Sequence, residues 1–151
     1  MRLRFLGTGT SFGVPQIGCD CVVCRSTDPR DQRTRCAVVI DTDDGTRVLI
    51  DTPPELRLQL VAARIGTVDA VLYTHEHADH VHGIDDLRAI TMRREAPLPM
   101  FAEQATLDML AARFPYIMDA SLRPLPGTTK PEGQAIAIEP GVPFMVRDTR
   151  I

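Results

Sequence analysis

An apolar run, Val68 to Thr74, leads without a break into His75-Glu76-His77-Ala78-Asp79-His80-Val81-His82, and these are all four histidines of the chain. This junction limits the fold more than any other stretch. Val-Asp-Ala-Val-Leu-Tyr-Thr has the β-branched and aromatic content of a buried strand. The segment after it is too rich in imidazole and carboxylate to continue into a core without partners. The strand must therefore end at an edge of the protein, with the polar cluster on the loop beyond it. The carboxyl ends of strands are where α/β folds carry their sites.

His75 and His77 are two apart, so an extended backbone projects both rings to one side and one cation can accept both. Asp79 and His80 follow where the chain must turn, and can aim at a second cation nearby. Imidazole with carboxylate suits zinc, manganese or iron rather than calcium. Two such ions roughly 3.5–4 Å apart would share a hydroxide, lower its pKa and clamp the attacking and leaving oxygens. That chemistry fits hydrolysis of phosphodiesters, esters and lactams. The plain alternative is a solvated loop that happens to be rich in histidine. His82 breaks the ligand spacing and is expected to support a ligand or face a substrate. Glu76 and Ala78 are expected to point away from the metals.

Around this cluster the patterning is mixed. Residues 2–6 alternate as a half-buried strand does, and Gly7 to Gly13 form a glycine-rich turn. Cys36 to Asp41 and Arg47 to Asp51 read as strands joined by an Asp43-Asp44-Gly45 hairpin turn. Pro53-Pro54-Glu55 opens a helix to about Ile65, with Leu56, Leu60, Ala63 and Ile65 buried. Asp85 or Asp86 caps a short helix through about Met92. Pro99 to Ala102 is a brief strand, and Glu103 to about Met118 a helix with Leu107, Leu110, Ala111 and Phe114 on one side. Gln134 to Ile138 and Pro143 to Arg147 read as strands. Strands and helices so mixed predict an α/β or α+β layered domain.

The irregular stretch from about 14 to 35 carries Cys19-Asp20-Cys21-Val22-Val23-Cys24. Three thiolates at this spacing can wrap one structural zinc and pin a loop that is otherwise long for an unsupported one. The alternative is three reduced thiols acting as small hydrophobes. Cys36 opens a strand and is expected in the core. No apolar run approaches the roughly 20 residues of a membrane span, and Met1 to Leu6 lacks the apolar stretch of a signal peptide. The expected location is the cytoplasm, where thiols stay reduced. A net charge of −3 and a pI near 5.8 disfavour a nucleic-acid partner. Arg30, Arg33 and Arg35 leave room for a small local phosphate site, as do the backbone N–H groups of Gly7, Gly9 and Gly13.

Thr74 to Gly83 resembles the His-x-His-x-Asp-His motif of the metallo-β-lactamase superfamily. The resemblance implies that His75 and His77 bind a first metal and Asp79 and His80 a second, with Asp79 helping to hold the nucleophilic water. Asp51 matches an acidic residue that supports this site in the family, although it could equally cap the helix opened by Pro53. The glycine-rich turn, the cysteine cluster and Thr74–Arg88 together resemble the branch containing the phosphoribosyl cyclic phosphodiesterase of phosphonate breakdown. That implies an αββα sandwich and a metal-dependent phosphodiesterase. Its cofactors would be two divalent ions, zinc or manganese, with one structural zinc, and its substrate a small cyclic or nucleotide-like phosphate.

The family also uses a further His, a bridging Asp and a last His, all expected after residue 100, and no His follows His82. The expectation is one domain over 1–151, cut short at its C-terminal end. Such a half-sandwich would leave an apolar sheet face open, available for pairing into a homodimer. The other readings are an RNA-processing nuclease resembling ribonuclease Z, and a non-catalytic metal-binding module.

Overall fold

The computed structural model describes residues 1–151. Six strands form one sheet in the order of the sequence: β1 (Arg2–Gly7), β2 (Ala37–Asp41), β3 (Arg47–Ile50), β4 (Ala70–Leu72), β5 (Leu98–Ala102) and β6 (Gly133–Ala137). β1, β2 and β3 pair antiparallel, while β3 to β6 run parallel. The β2–β3 turn is the expected one: Gly45 takes φ 85°, and the Asp44 carboxylate accepts from the Thr42 hydroxyl and the Thr46 N–H. No helix is long and apolar enough to cross a membrane.

Strand alternation sorts the apolar residues between two faces. Val39, Leu49, Val71 and Met100 point to one side. There they meet Leu56 and Leu60 of α1 (Leu56–Ala63), Ile90 of α3 (Arg88–Arg94), and Leu107 and Leu110 of α4 (Gln104–Arg113). This is the main core, and it is a helix-on-sheet layer as expected of α/β architecture. Val48, Ala70 and Phe101 point to the other side. Their cover is Val146 and Phe144, from the segment forming the small hairpin of β7 (Met145–Val146) and β8 (Thr149–Arg150). Away from the hairpin that face is open: Leu3 and Phe5 are 51% and 61% exposed. β1 is therefore a strand as expected, but its apolar side is not buried. Cys36, expected in the core, is exposed. Ala37 and Val39 take the inward positions, and alternation leaves Cys36 to the thinly covered side.

The helices depart from expectation where local chemistry intervenes. α1 starts at Leu56, after a turn through Pro53 and Pro54, and Asp51 does not cap it. Neither Asp85 nor Asp86 caps the helix that follows it; the Asp86 carboxylate instead accepts from the Arg57 N–H in the first turn of α1. A 3-10 turn (Ile84–Leu87) already contains both and runs directly into α3. The long helix expected to Met118 breaks at Phe114, because Pro115 disfavours helical geometry at the residue before it. Phe114 sits at φ −127°, ψ 54°, and a short α5 (Pro115–Met118) follows. Ala111 is exposed, whereas Leu107 and Leu110 are buried as expected.

Candidate metal centre

β3 and β4 are parallel neighbours, so their carboxyl ends lie side by side. β3 ends in Asp51, which adopts a left-handed φ of 62°, uncommon outside glycine but tolerated by Asp. The turn aims a buried carboxylate across to the end of β4. There Asp51 accepts three hydrogen bonds: from the Thr74 N–H at 2.8 Å, the Thr74 hydroxyl at 2.8 Å and His80 Nδ1 at 2.7 Å. Asp51 is therefore a support of the histidine cluster and not a helix cap.

These bonds also assign protons. The carboxylate takes the Nδ1–H of His80, which leaves Nε2 as its free lone pair. The Thr74 hydroxyl spends its proton on Asp51, so its oxygen accepts from His75 Nδ1, 3.0 Å away. His75 then also presents Nε2. One buried carboxylate thus orients two imidazoles, one directly and one through Thr74. The sequence reading missed Thr74, although a hydroxyl immediately before the first histidine was a usable signal.

The rings of His75 and His77 lie 4.7 Å apart edge-on, and those of His75 and His80 are 4.0 Å apart. An Asp79 carboxylate oxygen is 3.4 Å from His80 Nε2. The four sequence-identified residues are therefore brought together at the edge of the sheet. The set is open: the one group of three or more His, Cys or carboxylate ligand atoms within 4.8 Å of one another is that of Cys19, Cys21 and Cys24. His82 stands apart, exposed, edge-on to Phe114 at 6.1 Å.

The loop is seated on the β3–α1 turn. The Thr52 N–H donates to His80 O at 2.7 Å, and the Gly83 N–H donates back to Thr52 O at 2.8 Å. The Thr52 hydroxyl, fully buried, lies 3.3 Å from both Val81 O and the phenol of Tyr73. Burial pushes that phenol's pKa well up, so Tyr73 stays neutral and can accept from the Thr52 hydroxyl.

At the cysteine cluster, backbone N–H groups point at sulfur: Gln16 N to Cys24 Sγ and Cys24 N to Cys21 Sγ, both 3.4 Å. The Cys24 N–H, followed by the Cys19 side chain, lowers the Cys21 thiol to about 7. A donor aimed at sulfur favours the thiolate, the form that binds metal, and it does so at Cys21; at Cys24 the Gln16 N–H is outweighed by the neighbouring Cys19 and Cys21, which push that thiol up. The donor sets at both places fit divalent metal ions.

The expected phosphate groups are otherwise engaged. Arg30 pairs with Asp28 at 2.6 Å, Arg33 lies 3.7 Å from Asp31, and Arg35 pairs with Glu55. A Cβ on Gly7 would stand 2.0 Å from Arg35 O, and one on Gly9 2.5 Å from Arg33 O. The glycine-rich turn is there because the 33–35 backbone packs directly against it. The Gly9 and Gly13 N–H groups already donate to Thr34 O and Thr10 O.

Replacing Asp51 by Ala is expected to leave the Thr74 N–H unpaired and His80 free to turn. Stability should fall by about 2–3 kcal/mol and zinc affinity by roughly 10–100-fold. Asp51→Asn keeps the shape and should recover most of the stability without the affinity. Wild-type zinc binding in both variants, measured by chelator competition, would show that the carboxylate does not orient the ligands.

The Beta-lactamase superfamily domain matches residues 46–151. Over its whole length the chain is 48% identical to an octanoyltransferase of Porphyromonas gingivalis, of which it covers 30%. It is 32% identical over 124 residues to coenzyme PQQ synthesis protein B of Rhodopseudomonas palustris, matching 74% of this chain and 39% of that protein. Among solved structures, a diphosphatase of the PhnP family superposes with a TM-score of 0.83 at 37% identity, covering 98% of this chain and 54% of the diphosphatase. The chain thus spans about half the length of that structure and less of the two curated relatives.

Proposed function

Since the chain belongs to the β-lactamase superfamily, we propose that it carries the ligand loop of a metal-dependent hydrolase, a phosphodiesterase of small cyclic or nucleotide-like phosphates. The observation that carries this reading is the convergence of His75, His77, His80 and Asp79 at the ends of β3 and β4, with His75 and His80 held by Asp51. The likeness to a PhnP-family diphosphatase supports phosphate chemistry. His75 and His77 would hold one divalent ion and Asp79 and His80 a second. Zinc and manganese both suit this donor set, and Cys19, Cys21 and Cys24 would hold a structural zinc.

Metal bound at the histidine loop would supply positive charge that favours deprotonation of water and offsets charge on phosphoryl oxygens. The chain's own contribution is placement. Asp51 and Thr74 fix the ring planes of His80 and His75, so the Nε2 lone pairs need no reorganisation. Asp79, its side chain 22% exposed, can accept a hydrogen bond from the attacking water. His82 and Phe114 lie at the rim, where a substrate would enter.

The octanoyltransferase likeness favours a second reading, acyl-group chemistry, but it covers 30% of that protein. The two readings separate in one experiment. The zinc- or manganese-loaded protein is assayed on a cyclic phosphodiester, a dinucleotide diphosphate and an octanoyl thioester, with and without chelator. Phosphoester turnover lost on chelation is expected. Turnover of the thioester alone, or of none of the three, would overturn the phosphodiesterase reading.

A further inference from the structure

The loop that carries the ligands is tied down unevenly. Its outer parts, Thr74 and His80 to Gly83, are bonded to Asp51 and Thr52. Between them, the backbone from His75 to His77 receives one hydrogen bond from outside the loop, from Arg113 Nη1 to the Glu76 carbonyl at 2.5 Å. Glu76 is the residue between the first two histidines, so this bond sets the tilt of the peptide that joins them. Arg113 is the last residue of α4, three beyond Leu110 and six beyond Leu107, whose burial fixes the helix on the sheet. Such spacing places all three along one side of the helix. The next residue, Phe114, packs on the core and meets His82 edge-on. The end of α4 thus meets the loop twice, at Glu76 between the first two histidines and at His82 beyond the last ligand.

We infer that Arg113 is a positioning residue for the ligand loop, holding the His75–His77 peptide so that both imidazoles face one ion. The inference rests on the metal-site reading above. The guanidinium meets the carbonyl through Nη1 alone, so one charged donor at this place is what the loop uses. The position also carries a cost. A cation beside a metal site opposes binding of the ion, so Arg113 would be disfavoured there unless its hydrogen bond oriented something. Plain removal of charge therefore predicts tighter metal binding, and loss of positioning predicts weaker binding, which gives the test a sign.

The experiment titrates the chain with cobalt(II) in place of zinc. Cobalt at the cysteine cluster announces itself by a sulfur-to-cobalt charge-transfer band, and ligand-field intensity that grows without that band reports the histidine loop. In Arg113→Met the histidine-loop affinity is expected to fall about tenfold, at the lower end of the effect of groups that orient metal ligands. The ligand-field spectrum should change, with the sulfur band and the melting temperature close to wild type. Arg113→Lys keeps charge and one donor and should recover most of the affinity. Unchanged or tighter binding in Arg113→Met would overturn the inference, and so would a loss of affinity that merely follows a fall in melting temperature. Should wild type bind no cobalt at the histidines, the metal-site reading itself fails. Should wild type bind cobalt and Arg113→Met bind it equally, only the role of Arg113 fails.

Discussion

His77→Ala is expected to lose metal-dependent hydrolysis by at least about a hundredfold while the protein folds as before. The first half of that expectation follows from ligand count. Residues that merely orient a ligand already cost roughly 10–100-fold when removed, and His77 is placed to be a ligand itself. The second half follows from its surroundings. His77 is exposed, precedes α2 (Ala78–Val81) as its N-terminal cap position, and its side chain caps nothing. Its ring meets His75 edge-on and leaves no buried group unpaired when deleted. Changes at such surface positions stay within about 0.5 kcal/mol. Three measurements decide the matter: metal per chain by elemental analysis, kcat/KM on a phosphodiester, and the melting temperature. Retained activity at unchanged metal content would remove His77 from the ligand set. A melting temperature that collapses would make the cluster structural.

Gly83→Ala is expected to be far more damaging than its single methyl suggests. Gly83 sits at φ −88°, ψ 7°, a conformation open to any residue, so backbone freedom is not the reason for glycine. Space is: a Cβ would stand 2.1 Å from Pro53 O and 2.9 Å from the Leu56 Cβ. Neither neighbour is the end of a flexible side chain. Relief requires the loop to lift off the β3–α1 turn, breaking the reciprocal Thr52–His80 and Gly83–Thr52 hydrogen bonds and carrying His80 away from Asp51. Overpacking costs 1–3 kcal/mol typically and more when backbone must move, so about 3 kcal/mol is expected. For a domain of this size that is a fall of roughly 6–12 °C in melting temperature. Zinc affinity should fall with it. Gly66→Ala is the control, since its Cβ would meet only the Arg93 guanidinium at 3.3 Å. Equal melting curves for the two variants would refute the close seating of the loop.

Much of this was legible in the residues. The strand before His75, the Asp44-Gly45 turn and the buried face of α1 follow from local pattern, because each is decided within a few residues. The breaks in the helices were legible too, at Pro115, but the apolar spacing of Leu107, Leu110 and Phe114 concealed the break. Contacts between distant segments were not. The Asp51 bonds join residues 23 and 29 positions apart, and the Arg113 bond spans 37. No periodicity carries such information. The same holds for the glycine-rich turn: its sequence suits a phosphate cradle, and only the approach of Arg33 to Arg35 shows what the missing side chains make room for. The Cys36 reading failed for a related reason, since strand alternation tells which residues share a face but not which face has a cover.

Each strand of the main sheet lies beside the one that precedes it in the sequence. The three parallel pairings from β3 to β6 each span a crossover that contains a helix, so the rim is assembled from segments far apart in the chain. Asp51 and Thr52, which seat Thr74 to Gly83, precede the histidine loop, and Arg113, which meets Glu76, follows it. The loop is held the way an arch is, between a pier from one side of the chain and a stone from the other.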